Sequence, residues 1–173
     1  MGKRSNFERV ERDFYPTPPE AVAPLLPHLQ PATRFCEPCA GNGALADELT
    51  RHGHVCVRAI DIEPRRKDIE QCDALDLFED DADVFITNPP WERVLLHKLI
   101  WWFSWQRPTW LLFDADWKHT RQAAPLTPYL RRIVSVGRVK WIPGSKMTGK
   151  DNCAWYLFDR LTSPQAEFYG RAA

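Results

Sequence analysis

The sequence lacks an apolar stretch long enough to cross a bilayer, which takes roughly 18 to 20 residues. Its longest apolar tract, residues 95–105, is interrupted by His97, Lys98 and Ser104. The sequence also lacks the apolar segment of a signal peptide, since residues 1–12 are strongly charged. Its five cysteines do not have the spacing of a disulfide framework, so we expect reduced thiols. We therefore expect a cytoplasmic protein.

Net charge is also absent, because 23 Lys and Arg residues balance 23 Asp and Glu residues. This balance argues against a protein whose whole surface binds polyanions. The distribution is nevertheless uneven: residues 117–150 carry eight Lys or Arg and no acid, whereas residues 73–83 carry six acids and no cation. The asymmetry predicts a basic face, although ordinary solvated side chains would give the same pattern.

Apolar strands alternate with helices along the chain, which is typical of a doubly wound α/β sheet. The pattern predicts strands at 33–37, 55–60, 83–87 and 109–113. It predicts helices at 18–28, 44–52, 64–71, 94–105 and 125–133. Two last strands, at 134–142 and 153–159, have no helix between them and predict an antiparallel hairpin at one edge. We expect a single Rossmann-like, mostly parallel sheet in one domain over 1–173, with a polar lead-in at 1–13.

A glycine-rich turn follows the first predicted strand, in the run Phe35-Cys36-Glu37-Pro38-Cys39-Ala40-Gly41-Asn42-Gly43. It lacks the third glycine of the dinucleotide-binding pattern and the lysine of a phosphate-binding loop. Glycine lets the backbone approach a ligand closely. An acid beside such a turn suits a ligand with a cationic amino group and no phosphate, such as S-adenosylmethionine. The alternative is an ordinary turn between a strand and a helix.

Acids also follow the next two elements. Asp61 ends the second strand, where a carboxylate can accept both hydroxyls of a ribose, and Ile62 beside it can pack on an adenine. Asp73, followed by Ala74, can accept a hydrogen bond from an adenine amino group. Each acid alone could be a turn residue or a helix cap. Together, acids at successive strand ends meet at one edge of a parallel sheet, where ligands of this fold class bind.

The pair Cys36-x-x-Cys39 raises the alternative of a zinc site, with His52, His54 and Cys56 as further ligands. No second closely spaced cysteine pair exists in the sequence. We therefore interpret the cysteines as small buried thiols and expect no metal.

The most specific motif is Asn88-Pro89-Pro90-Trp91, which follows the apolar run Phe85-Ile86. Two prolines fix the backbone, so the Asn88 amide oxygen and the Pro89 carbonyl can together accept both hydrogens of an NH2 group. Held in this way, the nitrogen presents its lone pair for attack on a sulfonium methyl, and no nucleophilic side chain is needed. Trp91 can stack on a base taken out of its helix. A rigid turn before a helix is the alternative.

With these motifs the chain resembles the class I S-adenosylmethionine-dependent N6-adenine methyltransferases, including small phage-type DNA adenine methyltransferases. The resemblance covers residues 13–159, with Phe14-Tyr15-Pro16-Thr17-Pro18 similar to the family's N-terminal cofactor motif. It implies a catalytic set of Asn88, Pro89, Pro90 and Trp91. It implies S-adenosylmethionine as cofactor, bound by Tyr15, Thr17, Glu37, Cys39, Ala40, Gly41, Asn42, Gly43, Asp61, Ile62, Asp73, Ala74 and Asn88. We expect no separate target-recognition domain within residues 1–173.

The substrate expected from the resemblance is adenine N6 in nucleic acid, DNA more than RNA. For contacts to it we select Trp117 and Trp91 as aromatic surfaces, and Lys146 and Lys150 in the glycine-bearing loop 144–151. RNA adenine methylation and N5-glutamine methylation of a protein remain alternatives, because both use a similar catalytic motif. A catalytically inactive nucleotide-binding module is a further alternative, against which the intact Asn88 motif argues.

Overall fold

A computed structural model describes residues 14–79, 81–142, 148–162 and 165–171. Within these residues a single sheet has eight strands in the order β3-β2-β1-β4-β5-β7-β6-β8. The strands are β1 (Arg34–Glu37), β2 (Val55–Asp61), β3 (Glu70–Gln71), β4 (Val84–Thr87), β5 (Thr109–Asp114), β6 (Leu130–Gly137), β7 (Cys153–Phe158) and β8 (Glu167–Tyr169). The helices are α1 (Pro19–Val22), α2 (Ala44–Arg51) and α3 (Arg93–Gln106).

Strand direction is uniform except at β7. The pairs β1–β2, β1–β4, β2–β3, β4–β5 and β6–β8 are parallel, whereas β7 is antiparallel to both β5 and β6. The order from β3 to β5 is that of a doubly wound sheet, which reverses between β1 and β4. The predicted α/β fold, mostly parallel with an antiparallel hairpin, is confirmed. A short strand not predicted from the sequence, β8, lies outside that hairpin.

Helices cover both faces of the sheet, which is why its central strands are apolar on both sides. On one face α1 and α2 pack against β1, β5 and β7 through residues such as Leu25, Leu49 and Trp155. On the other face α3 and residues 117–130 pack on the sheet through Phe103, Trp117 and Leu126. None of the helices in the described ranges is long and apolar enough to span a membrane.

Two predicted helices near the N-terminal half are wrong. The helix predicted at 18–28 ends at Val22, because Pro24 and Pro27 interrupt it, and only a 3-10 turn at Leu26–His28 follows. The helix predicted at 64–71 is a series of turns that ends in β3. Ile69 is the only strongly apolar residue of that segment, so a helix there would have no apolar stripe to bury.

The third wrong helix is the one predicted at 125–133. The chain instead forms a 3-10 turn at Thr127–Tyr129, and β6 begins at Leu130. Pairing of β6 with β7 decides this conformation, since the segment aligns with Phe158, Leu157 and Tyr156 in the sheet. Gly137, whose φ of +89° few other residues adopt, ends the strand well before residue 142. The predicted lead-in at 1–13 lies outside the described residues.

Trp155 links β7 to the N-terminal helix, and we expect its shortening to destabilise the fold. Its side chain is fully buried, and its indole nitrogen donates a 2.7 Å hydrogen bond to the Ala21 carbonyl. Trp155→Phe should lower the free energy of unfolding by about 2 kcal/mol, because it leaves a cavity and an unpaired carbonyl. Urea denaturation measures this, with Trp105→Phe as control, since Trp105 is 55% exposed. Equal stability of the two variants would contradict the prediction.

Candidate active site

A cleft opens where the strand order reverses, at the carboxyl ends of β1, β2 and β4. The sheet brings three chain segments to this edge: the glycine-rich turn after β1, the residues after β2, and the Asn-Pro-Pro motif after β4. Residues 14–17 cover the cleft, and α3 contributes Leu95 and Leu99. The predicted cofactor residues that line it are Tyr15, Thr17, Glu37, Cys39, Ala40, Gly41, Asn42, Asp61, Ile62, Asp73, Ala74 and Asn88.

The glycine-rich turn is shaped by contacts with neighbouring strand ends. Gly41 has φ +55°, and a Cβ there would lie 2.7 Å from the Phe14 ring. Its amide donates a 2.7 Å hydrogen bond to Asp61 Oδ2, and its carbonyl accepts from the Arg65 amide at 2.9 Å. Gly43, with φ +78°, is the N-cap of α2 and faces Arg66. It is the one predicted cofactor residue that does not line the cleft, so its role in the structure is to shape the turn.

Glu37 lies at the end of β1 and is 2% exposed. Its Oε2 accepts a 3.0 Å hydrogen bond from the Ala46 amide in the first turn of α2. Burial raises the pKa of this carboxyl well above its usual value, and the carboxylates of Asp61 and Asp47 raise it further. A cation brought into the cleft would offset both effects, which makes Glu37 a candidate partner for a positively charged ligand group.

The two aspartates hold the loops that surround the cleft. Asp61 uses both oxygens, since Oδ1 accepts a 2.8 Å bond from the Glu63 amide and Oδ2 accepts from Gly41. Asp73 accepts a 2.9 Å bond from the Leu75 amide through Oδ1 alone. Its second oxygen has no hydrogen-bond partner among the described residues and is available to a ligand. Ile62, adjacent to Asp61, is 52% exposed and offers an apolar face.

Asn88 is held by hydrogen bonds on both sides of its carboxamide. Its Nδ2 donates to Thr17 Oγ1 at 3.2 Å and to the Tyr15 carbonyl at 3.4 Å. Its Oδ1 accepts a 3.2 Å bond from the Trp91 indole nitrogen, which also contacts the Leu112 carbonyl at 3.2 Å. The Asn88 side chain therefore joins the N-terminal segment to the Asn-Pro-Pro-Trp motif. Thr17 and Asn88 are 71 residues apart in the sequence.

The remaining motif residues differ in their position. Pro90 lines the cleft, whereas Pro89 is buried and Trp91 is half-buried outside the cleft. The Trp91 ring meets Trp141 edge to face, with centroids 5.9 Å apart. Trp91 is therefore hydrogen-bonded to a residue that lines the cleft without lining it itself.

Trp117 is a correction to the sequence prediction, which had it contact substrate. It is 5% exposed and packs edge to face on Phe113, Tyr156 and Phe158. Its indole nitrogen donates a 2.9 Å hydrogen bond to His97 Nε2. The ring is therefore part of the core and has no free face on which a base could stack.

Several described cations of 117–150 have partners within the chain. On β6, Arg131 contacts Thr162 and Arg132 pairs with Glu167 at 3.0 Å, while the Lys118 ammonium lies 4.5 Å from the Phe168 ring centre. Lys150 is exposed, and its predicted contact with nucleic acid stays a prediction. Lys146 lies outside the described residues, together with the first half of the loop 144–151.

The cysteines are distributed between the core and the cleft. Cys36 is buried in β1, Cys39 lines the cleft, and burial raises the pKa of both thiols. In the described part of the chain, no three His, Cys, Asp or Glu side chains are grouped closely enough to hold a metal ion.

Some cleft residues are absent from the set selected by sequence. The Arg65 guanidinium lies 3.8 Å from the centre of the Phe14 ring, and this pair covers the glycine-rich turn. Leu95 and Leu99 line the cleft from α3. The two leucines are four residues apart and follow the motif directly, so they lie on one face of the helix, and this spacing is the signal that could have identified them. No local pattern marks Arg65, because its place depends on the turns that replaced the predicted helix.

Fold and cleft define the class: a Rossmann-like α/β protein with a ligand cleft at the reversal of strand order. No family model matches the sequence, and no curated protein does so. Similar solved structures include a proposed RNA methyltransferase from Pyrococcus horikoshii, 16% identical with TM-score 0.53, covering 91% of this chain and 92% of that chain. A dimethyladenosine transferase from Plasmodium falciparum is 15% identical with TM-score 0.54, covering 84% of this chain and 62% of that one.

A third similar structure is the modification subunit of a proposed type I restriction enzyme from Vibrio vulnificus. It is 15% identical with TM-score 0.56, and the match covers 92% of this chain and 47% of that chain. The chain thus spans less than two thirds of the last two structures. At these identities, the likeness shows that the chain has the fold of these methyltransferases.

Glu37 makes stability depend on pH. A raised pKa in the folded state gives a contribution to stability that is complete below the unfolded pKa, about 4.3, and is lost as pH rises through the folded pKa. Gln cannot ionise but can still accept from the Ala46 amide. Glu37→Gln should therefore raise the melting temperature at neutral pH, and the gain should vanish as pH falls below about 4.3.

Glu70→Gln is the control of opposite sign, because a hydrogen bond from Arg58 lowers the pKa of Glu70. That variant should lose stability at neutral pH, and its deficit should shrink as pH falls through the lowered pKa. Scanning calorimetry of both variants across this range measures the difference. A Glu37→Gln protein less stable than the unmodified chain at neutral pH would refute this interpretation of Glu37.

Proposed function

We propose that the chain is an S-adenosylmethionine-dependent methyltransferase that methylates the exocyclic N6 of adenine in nucleic acid. DNA is the first candidate substrate. The position of Asn88 carries the proposal. It lines the cleft of the glycine-rich turn and is bonded to Trp91, which stands outside that cleft. A cofactor on one side and a target base on the other would therefore meet at the Asn88 carboxamide.

The charges of the cleft fit S-adenosylmethionine. Four carboxylates (Glu37, Asp61, Glu63 and Asp73) and one guanidinium, Arg65, line it. This excess of negative charge suits a ligand with an ammonium and a sulfonium and disfavours one with several phosphates. In this proposal Glu37 pairs with the ammonium, and Asp61 and Ile62 meet the ribose and adenine. Asp73 accepts a hydrogen bond from the adenine amino group. Gly41, already in contact with Phe14, leaves no room for a side chain.

The chemistry then depends on positioning. Bound S-adenosylmethionine would supply a methyl group on a sulfonium sulfur, and this sulfur would leave as a neutral thioether as the methyl passes to the nitrogen. Asn88 Oδ1 and the Pro89 carbonyl accept the two hydrogens of the target NH2 group, which favours a tetrahedral nitrogen with a free lone pair. The proton released from the methylated nitrogen passes to solvent. Since no side chain acts as nucleophile, the rate depends on how well these two oxygens are held.

Two kinds of observation support a nucleic-acid target. The names of the similar structures include an RNA methyltransferase, a dimethyladenosine transferase and a restriction-modification subunit. The half-buried rings of Trp91 and Trp141 next to Asn88 suit a planar base better than a short amide side chain. RNA is the second candidate, because one of these structures is named for it.

An assay of tritiated methyl transfer to DNA, RNA and protein distinguishes the three target classes. Transfer to protein alone, or to none, would refute the proposal.

Asn88→Ala tests the catalytic assignment. Loss of one preorganised acceptor should cost about 2.7 to 4 kcal/mol in the barrier, or roughly 10² to 10³ in kcat, by analogy with oxyanion-hole deletions. Cofactor affinity should stay nearly unchanged. Single-turnover transfer to an adenine oligonucleotide and calorimetric titration with S-adenosylmethionine measure the two effects separately. A variant with full kcat would show that Asn88 does not hold the amine.

Asp73→Ala tests the cofactor assignment. If Asp73 accepts from the adenine amino group, its loss should weaken S-adenosylmethionine binding about five- to tenfold. Asp76→Ala is a matched control, because Asp76 is exposed three residues away and does not line the cleft. Calorimetry should be run in the presence of a chelator, where we expect S-adenosylmethionine still to bind. Equal affinities of the two variants would place the adenine elsewhere, and loss of binding with chelator would revive the zinc alternative.

A further inference from the structure

The Asn88 carboxamide has two orientations that differ by exchange of its oxygen and nitrogen. In the structure, Nδ2 faces the Tyr15 carbonyl and Thr17 Oγ1, whereas Oδ1 faces the Trp91 indole nitrogen. The opposite orientation would put Nδ2 against the indole N–H, where both groups are donors. It would also put Oδ1 against the Tyr15 carbonyl, where both groups are acceptors. The orientation is thus fixed from both sides.

Trp91 is the constraint on the oxygen side of the amide. An indole N–H can only donate, so it selects the oxygen, while on the other side the Tyr15 carbonyl can only accept and the Thr17 hydroxyl can donate or accept. The indole is itself fixed, because the same N–H contacts the Leu112 carbonyl at the carboxyl end of β5. Its ring also packs against Trp141 and against core residues on both faces of the sheet. The direction of the amide oxygen is therefore set by the sheet through the Trp91 side chain.

We propose that Trp91 is a positioning residue whose indole N–H, with Thr17, holds Asn88 Oδ1 in the orientation that accepts a hydrogen of the target amine. This inference rests on the proposed function. One lone pair of Oδ1 receives the indole N–H, and the second remains for the amine. An aromatic residue without a donor at this ring position, such as Phe, could still stack on a base but could not select the orientation of the amide.

Trp91→Phe separates the two roles in steady-state kinetics. It keeps an aromatic ring and removes the indole N–H donor, so KM for an adenine oligonucleotide should change little. The freed amide should lower kcat about tenfold, the effect of losing one hydrogen bond that matters in the transition state. If Trp91 acts by stacking alone, KM rises while kcat stays the same, and that outcome would overturn the proposal.

Trp102→Phe is the matched control. Trp102 is also half-buried, and its indole nitrogen donates a 3.1 Å hydrogen bond to the Leu77 carbonyl, away from the cleft. The two variants lose the same kind of bond and should lose similar thermal stability. Only Trp91→Phe should lower kcat. A fall in kcat of equal size in both variants would mean that general destabilisation explains it.

Thr17 gives an independent second test in case Trp91→Phe folds poorly. Thr17→Val removes the hydroxyl at nearly constant volume, and Thr17→Ser restores it. We expect Val to lower kcat and Ser to recover most of it. If Val has no effect on kcat, or if Ser lowers kcat as much as Val does, Thr17 is not part of the positioning pair.

A measurement on the free protein distinguishes failure of this inference from failure of the proposed function. In 15N-labelled protein, the Asn88 side-chain NH2 should give one pair of resonances that shifts or broadens in Trp91→Phe and stays in place in Trp102→Phe. Unmoved Asn88 resonances would overturn the inference even if methyl transfer is found. Absence of transfer by the unmodified chain, with the resonances shifted as expected, would instead overturn the proposed function and leave the amide constraint intact.

Discussion

The hydrogen bond from the Gly41 amide to Asp61 Oδ2 ties the turn after β1 to the end of β2. Parallel pairing alone brings these strand ends to one edge, but it leaves the loops free to differ. The Gly41 contact, with the Arg65 amide on the Gly41 carbonyl, fixes the turn in a left-handed conformation that a side chain would disturb. Where α2 starts, where Phe14 lies and how Glu37 reaches the Ala46 amide all follow from this turn.

Such a site reduces the stability of the fold that holds it. Glu37 and Asp61 are carboxylates close enough for Asp61 to raise the pKa of Glu37, and Glu37 is buried as well. A folded protein optimised only for stability would replace Glu37 with a neutral acceptor, since the Ala46 amide needs only an oxygen. Retention of the acid is understandable if a cationic ligand completes the charge balance. Binding and stability are then linked, because the ligand removes the cost of ionising Glu37.

The kind of sheet, mostly parallel with an antiparallel hairpin, was predictable from sequence, whereas its strand order was not predicted and three predicted helices were wrong. The strands β4 and β5 are recognisable because apolar runs of three and four residues fit a sheet covered on both faces, whereas β1 carries only Phe35 and Cys36 between two charged residues. The failed helices at 64–71 and 125–133 are segments whose conformation is decided by distant partners, Gly41 for Arg65 and β7 for Leu130. Trp117 was wrong for the same reason: composition identifies an aromatic side chain, whereas only packing shows whether its face is free.

Trp91 shows how one residue can satisfy two requirements that sequence cannot separate. Its aromatic ring was sufficient to predict a stacking surface, but the direction of its N–H depends on the Leu112 carbonyl of β5, a strand that no local pattern connects to the motif. Because β4 and β5 are parallel neighbours, the Asn-Pro-Pro turn lies beside the carboxyl-terminal half of β5, and the Trp91 indole reaches the Leu112 carbonyl there. A donor at that position can thus relay the geometry of the sheet to the Asn88 oxygen. The catalytic amide would then be positioned by the backbone of the core, which is more rigid than any loop contact.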